Sequence, residues 1–543
     1  MSAVEVILAL ILTVALVAVV ARLVPVAMPL LQIGAGLLLS FLPGFSRVHI
    51  DPAVFFALFI PPLLYADGWL MPRRDLRQVL RPVLALAFGL VLATVLVVGY
   101  TLHALIPSLP LAAAFALGAI VSPTDAVATA AMTERLPLPR RVTLILSGES
   151  LINDASGLVA FKFAVAAMAT GMFSLAEAGA DLVRVAAGGA IIGVLVSVVA
   201  GRLHSAIARA IAHAASDAPN VHTVISLLTP FAAYLAAEAV GVSGILAVVS
   251  CGLYSGWRDA RHMGARTRQQ AVQVWSMVLF VFNGLVFVLL GLSLPEAMEA
   301  LAPKHDWTAL ATHAAVLWVI VTLIRLAWVY PSTFLPPLLL ARLRAREGVQ
   351  DPRSTFIVGW AGLRGSVTMA AALSLPVVTA TGAPFPGRAE IIFLAATTIL
   401  LTLLINGLSL PPLIRALGLR GGDAAAEKEL HTAEIALAGA AATALREELP
   451  RLSGADQRFA SHVLEQYESR LGLYNAMGAE RTPFERAAAG RRHIVMLALE
   501  AERAELARLR DKEVINDETA RILEPRIDYL ELYAAGHTRE GAP

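Results

Sequence analysis

Residues 118–128 read Gly-Ala-Ile-Val-Ser-Pro-Thr-Asp-Ala-Val-Ala, an apolar stretch interrupted by Pro123 and Asp125. Proline lacks a backbone N–H and disfavours helix at the residue before it, so a helix through this stretch breaks near Ser122. A break frees carbonyl and amide groups. Within a bilayer that is tolerated only where the backbone is buried in protein or lines a cavity. Thr124 and Asp125 sit at the break, where Asp125 can face the positive end of a half-helix. A proline kink satisfied by Ser122 and Thr124 is the plainer alternative.

The rest of the chain supplies the bilayer. Of 543 residues, 57% are hydrophobic and only 15% are charged, against about 25% charged in an average soluble protein. An ordinary soluble enzyme is therefore excluded. The charges are also unevenly spread. Residues 419–543 hold 17 Lys/Arg and 22 Asp/Glu, leaving 26 basic and 19 acidic residues in the first 418. The chain divides into an apolar body, 1–418, and a charged tail, 419–543. The tail has helical spacing over Ala425–Leu449 and Gly490–Leu509, punctuated by Pro450, Gly454 and Pro483, and no catalytic pattern. It reads as a solvated helical bundle that supports or regulates the body. No clustered basic patch points to nucleic acid. Cys251 is the single cysteine, which rules out an intramolecular disulfide and a cysteine-based zinc cluster. Met1–Arg22 is apolar without the early positive charge of a cleaved leader, so it is expected to stay as the first span.

A membrane helix needs about 20 mostly apolar residues. Thirteen candidates follow, near 4–21, 25–43, 54–71, 82–105, 111–132, 145–172, 182–201, 221–240, 243–257, 272–294, 308–340, 354–380 and 389–414. The eleventh carries Pro331, Pro336 and Pro337 and is expected to kink or end early. Basic residues favour cytoplasmic loops. Loops after odd-numbered spans hold 18 Lys/Arg, the alternate loops four. This places the N-terminus outside and the tail in the cytoplasm.

Eight ionisable residues then remain inside spans: Asp67, Asp125, Glu149, Asp154, Lys162, Glu238, Arg325 and Arg364. Each costs about 2.5–3.5 kcal/mol or more at the bilayer centre unless paired or hydrated, and such acids mark ion or proton pathways. Span six opens Gly148-Glu-Ser-Leu-Ile-Asn-Asp-Ala-Ser-Gly157. Glu149, Ser150, Asn153 and Asp154 fall within about a 140° arc of one helix. That oxygen-rich face suits a hard cation such as sodium. A helix N-terminus capped by Ser147 would explain Glu149, but not Asn153 and Asp154 a turn deeper. Span twelve reads Gly359-Trp-Ala-Gly-Leu-Arg-Gly-Ser-Val-Thr-Met-Ala370, a second candidate break with Arg364 among glycines. Two interrupted spans in comparable places are the sequence pointer to an inverted-repeat transporter. Arg364 would balance half-helix carbonyl ends and nearby acids. Arg325 in span eleven needs a carboxylate, and Glu149 is the best candidate by charge and depth. Asp67 is a pathway acid or an interfacial one. Glu238 reads as interfacial or interhelical, Lys162 as a structural partner or cavity residue.

Ser122-Pro-Thr-Asp125, Gly148-Glu-Ser-Leu-Ile-Asn-Asp154 and Gly362-Leu-Arg-Gly-Ser366 together resemble the monovalent cation/proton antiporter-1 family, the bacterial sodium/proton antiporters and their sodium/hydrogen exchanger relatives. Pro61-Pro-Leu-Leu-Tyr-Ala-Asp-Gly68 and Ser243-Gly-Ile-Leu-Ala-Val-Val249 are similar to it as well, and the resemblance spans about residues 1–415. It implies an all-α polytopic membrane protein and a homodimer in the cell (inner) membrane. Each protomer has thirteen spans, inverted repeats, a dimerisation subdomain, and a core subdomain with two crossed, discontinuous helices. It also implies that Asp154 carries the cation or the proton. Thr124, Ser150 and Asp125 become coordinating or nearby groups for transported sodium, and Asn153 a hydrogen-bonding neighbour. Glu149 and Arg325 become a structural ion pair, and Arg364 stabilises the broken helix. Asp67 stands where relatives often place a glutamate in the cytoplasmic funnel.

The expected activity is exchange of sodium or lithium for protons, not an enzyme reaction, and no cofactor is called for. A buried carboxylate is costly when bare, so it takes either a proton or a cation. Asn153 adds no second titrating site beside Asp154, which fits electroneutral exchange. A potassium/proton antiporter on the same fold and a channel or ion sensor with a signalling tail are the alternatives. An intramembrane aspartyl protease using Asp125 and Asp154 lacks the accompanying Gly-x-Gly-Asp element.

Overall fold

The computed structural model describes residues 3–475, apart from 25, 43, 46–51, 134–135, 137, 171–174, 213–218, 302–306, 340–349, 380–383 and 420–423, together with 495–509 and scattered residues to 530. The chain separates into two compact units, Met1–Gly421 and Gly422–Pro543. Both are helical, and an isolated bridge joins Val378 to Pro384 in the first.

Helices fall in all thirteen apolar segments. They are α1 (Ala3–Leu23), α2 (Met28–Ser40), α3 (Pro52–Leu70), α4 (Arg73–Leu84) continuing through a π turn into α5 (Val91–Leu105), α6 (Leu111–Val121), α7 (Ala126–Thr133) and α8 (Arg140–Thr170). There follow α9 (Leu175–Ala212), α10 (Pro219–Ala239), α11 (Gly244–His262), α12 (Ala265–Leu301) and α13 (Trp307–Leu339). The first unit closes with α14 (Pro352–Trp360), α15 (Ser366–Leu373), α16 (Arg388–Leu401) and, after a second π turn, α17 (Leu408–Ala416). Among the described residues, eight helices are long and apolar enough to cross a bilayer, or nine if α6 and α7, bent by 42° at their break, count as one span. The apolar helices α2 and α3 are shorter.

Several helices outrun their apolar segments. Arg73–Arg81, read as a loop, is the start of α4, a basic and amphipathic turn ahead of the apolar part. α8 starts at Arg140, so Ser147 lies inside the helix and does not cap it. Glu149 therefore sits more than two turns in. α13 does not end early but runs helical through all three prolines to Leu339. Pro336 cannot supply the N–H that the Ser332 carbonyl would receive, and Arg81 Nη1 donates to that carbonyl at 3.0 Å instead. A side chain from a neighbouring helix thus repairs the ladder, as apolar surroundings require.

The two π turns serve the same need. Trp328 Nε1 donates to the carbonyl of Ala85, at the start of the first, at 3.0 Å. Asn406 in the second accepts from Trp318 Nε1 at 2.9 Å and donates to the Trp360 carbonyl at 3.2 Å. It thereby closes the exposed end of α14. The opposite end of α14 is capped by Asp351, which accepts from Arg353 N and Ser354 N. α15 packs against α3, α6, α12 and α16, so the second break faces the middle of the bundle.

In the second unit, α18 (Ala424–Glu448) packs on α19 (Gly454–Asn475) through a tight turn, with Gly454 at φ 61°. α19 was not singled out from the sequence. Residues 495–509 are helical. The expected helix start at Gly490 lies outside the described residues.

Candidate functional site

The two breaks meet. The amide of Asp125 donates to the Leu363 carbonyl at 2.8 Å, and Thr129 Oγ1 reaches the Ala361 carbonyl at 3.3 Å. Arg364 Nη1 donates to the Ser122 carbonyl and, at 2.8 Å, to the Pro123 carbonyl. These carbonyls lie just past the C-terminal end of α6, where the helix has stopped. Arg364, only 1% exposed, thus supplies positive charge at the negative end of a half-helix, and its described bonds go to carbonyls rather than to acids.

Asp125 does the converse. Its Oδ1 accepts from Ala128 N at 2.9 Å and its Oδ2 from Ser366 N at 3.2 Å. One carboxylate therefore caps two half-helices, α7 and α15, at their positive ends. Ser366 N can come this close because residue 365 is glycine. A Cβ at Gly365 would fall on the Asp125 carboxylate, and one at Gly362 would press on the Arg325 side chain.

The polar face of α8 splits between two environments. Glu149 and Asn153 turn towards α13 and α14. Arg325 grips both oxygens of Glu149, Nη1 on Oε1 and Nη2 on Oε2 at 2.8 Å. Its Nε and Nη2 also donate to the Val358 carbonyl at 3.2 and 2.9 Å. Thr124 Oγ1 donates to Glu149 Oε1 at 3.2 Å and accepts from Asn153 Nδ2 at 2.9 Å. Glu149 is 0% exposed, and its charge is compensated in place.

Ser150 and Asp154 face elsewhere. With Asp67, Thr124, Asp125, Pro123 and the start of α15 they line a cavity of about 20 Å³. One water-sized occupant needs about 10–15 Å³, so this is room for a single occupant of that size. Asp154 is 4% exposed and makes no hydrogen bond or ion pair with a described residue. Two further carboxylates, Asp67 and Asp125, belong to residues of the same cavity wall. Asn153 does not line the cavity, and the Thr124 hydroxyl is engaged by Glu149 and Asn153. Asp67, on α3, does line it. Lys162 is paired with Glu238, which also accepts from Gly244 N at 3.3 Å, away from the cavity.

Leu63, Asn283 and Thr368 also line the cavity, and the sequence reading missed them. Thr368 lies two residues past the Gly-Leu-Arg-Gly-Ser run. Asn283 is a polar residue in an otherwise apolar stretch of α12, the one signal that would have found it.

Fold and cavity together define a polytopic, all-helical membrane protein with a small cavity, lined in part by carboxylates, at the meeting point of two interrupted helices. The family model of the transmembrane sodium/hydrogen exchanger matches residues 8–416, and the chain belongs to that family. It is 41% identical over 420 residues to the sodium, potassium, lithium and rubidium/proton antiporter of Bacillus pumilus (strain SAFR-032), covering 75% of this chain and 61% of that one. The antiporter of the same name from Bacillus subtilis (strain 168) is 36% identical over 528 residues, covering 96% of this chain and 77% of that one. In fold the chain is similar to the solved sodium proton antiporter MjNhaP1 from Methanocaldococcus jannaschii, with a TM-score of 0.56 at 20% identity over 74% of this chain and 98% of that one.

Proposed function

We propose that the chain is a secondary transporter exchanging sodium for protons across the cell membrane, with both cargoes competing for Asp154. The observation that carries this is a buried carboxylate without a bonding partner in a one-ion cavity. The bare, charged form is the costly one in low dielectric. A proton or a sodium ion each neutralises it locally, and either loaded form can traverse where the empty one does poorly. Ser150 and the neighbouring oxygens of the breaks complete the cation's shell. Asp125 acts chiefly by holding α7 and α15 in place, and Asp67 guards the approach. With Asn153 uncharged, one sodium exchanges for one proton, so transport is electroneutral.

Access alternates by movement of a core subdomain carrying the two breaks against a dimerisation subdomain. In this reading all thirteen apolar segments span the membrane as inverted repeats, the interrupted helices cross, and two copies form a homodimer. The 18-to-4 distribution of basic loop residues supports an outside N-terminus and a cytoplasmic tail beyond residue 418. A broader cargo range that includes potassium is the second reading. The printed names of the two Bacillus relatives favour it.

Proteoliposomes loaded with a pH dye test both. Sodium, lithium, potassium and rubidium are added in turn at several pH values. Sodium is expected to move protons, and Asp154→Asn to reduce the signal to that of empty vesicles while the protein stays folded. Coupled exchange by Asp154→Asn would remove Asp154 from the mechanism.

A further inference from the structure

We propose that Thr368 is a cation ligand, supplying its hydroxyl oxygen to the ion held at Asp154. The inference rests on the exchange reading and deepens it.

Thr368 is 1% exposed, lines the cavity, and its Oγ1 has no hydrogen-bond partner among the described residues. Buried hydroxyls in native proteins are almost always bonded, so an unbonded one calls for an explanation such as an ion. Other buried helical threonines of this chain take the usual solution and donate backwards. Thr133 Oγ1 bonds the Thr129 carbonyl at 2.9 Å and Thr398 Oγ1 the Leu394 carbonyl at 2.7 Å. Thr368 does not. It sits in the first turn of α15, and the carbonyl four residues back belongs to Arg364, inside the break. Its hydroxyl takes neither that carbonyl nor the one of Gly365, three back, and stays unbonded on a residue of the cavity wall. Thr94 Oγ1 is also unbonded, but Thr94 does not line the cavity.

The chemistry is that of a hard cation, which prefers oxygen donors. Asp125 already receives two amides, and the Thr124 hydroxyl is already bonded on both sides. Thr368, on α15, is an uncommitted neutral oxygen on a residue that lines the same cavity as Asp154 and Ser150 of α8. A ligand there joins α15 to α8 through the ion, so a loaded cation ties the second break to the helix that bears Asp154. The proton needs no such shell. Loss of the hydroxyl should therefore weaken cation binding and leave the proton-loaded step alone.

Sodium-dependent exchange in proteoliposomes of the full chain, compared for wild type, Thr368→Val and Thr368→Ser, tests this. Valine keeps the shape and removes the oxygen. Serine keeps the oxygen and removes a methyl group. We expect Thr368→Val to raise KM for sodium about tenfold, the size of one lost charge-assisted contact, with kcat little changed. Thr368→Ser should stay near wild type. A packing role gives the opposite order, with serine the more damaging change. Thr368→Val with wild-type KM, or Thr368→Ser worse than Thr368→Val, overturns the proposal. If the wild type itself moves no protons in response to sodium, the exchange reading fails instead. Sodium-dependent thermal shifts of the same three proteins then decide whether Thr368 contributes to binding.

Discussion

α8 presents two polar regions a single turn apart, and they differ in how completely their atoms are satisfied. On the Glu149–Asn153 side, Arg325, Thr124 and the Val358 carbonyl close a network around the carboxylate. On the Ser150–Asp154 side, a carboxylate of similar burial shares a cavity with Asp67 and Asp125 and has no bonding partner among the described residues. Two acids five residues apart on one helix thus have opposite surroundings. The first fixes structure. The second is left open to the cavity. Which carboxylate can exchange its partner is decided by what its neighbours on other helices leave undone.

The sharpest way to break this comparison is to unbalance the closed side. Arg325→Met leaves Glu149 buried and uncompensated, which should cost about 3–5 kcal/mol of stability, read as a large drop in the thermal unfolding midpoint in detergent. Replacing Glu149 by Leu in the same protein should recover much of the loss. An Arg325→Met protein as stable as its parent would show that the pair is not what holds this side together. Asp154→Asn on the open side should, by contrast, leave the midpoint close to wild type.

Next in size is the joint between the breaks. Gly365→Ala places a methyl group against the Asp125 carboxylate and forces it off one of its two helix ends. Overpacking of this kind costs about 1–3 kcal/mol. Exchange should fall along with stability, because the cavity wall moves. A Gly365→Ala protein with unchanged midpoint and rate would mean that Asp125 has slack the geometry does not suggest.

The smallest effect belongs to the open side. Ser150→Ala removes the acceptor of a long bond from Ala126 N at 3.4 Å. Its stability cost should be about 0.5–1.5 kcal/mol, within reach of chemical denaturation. Its effect on the sodium KM should be proportionally larger. A change in stability without a change in KM would make Ser150 a purely structural residue.

How far the sequence reaches follows the same division. Pro123 announces the first break by itself, because its chemistry forbids the missing bond. Arg364 among glycines and Arg325 without a local acid are visible as debts that other residues must settle. Charge and depth together point from Arg325 to Glu149, and the two are in contact. The partners of Arg364 were legible as half-helix carbonyls but not by residue, since those of Ser122 and Pro123 look like any others until the chain brings them 242 and 241 residues back to it. The same holds for Asn406 and the second π turn, which close α14 from a distant helix. The division of the α8 face was also hidden. Helical spacing groups Glu149, Ser150, Asn153 and Asp154, and only the positions of α13, α14 and α15 separate them. Helix lengths were underread because α4 and α8 continue past their apolar stretches on basic and polar residues.

The central claim is that proton and cation compete for one carboxylate. Proton release on sodium binding tests it most directly. Sodium is titrated into the purified protein by calorimetry in two buffers of different ionisation enthalpy, at a pH where the wild type binds it weakly. The account predicts close to one proton released for each sodium bound, an apparent sodium affinity that falls as pH falls, and neither binding nor release with Asp154→Asn. Sodium binding that releases no proton, or that survives in Asp154→Asn with its pH dependence intact, would contradict it.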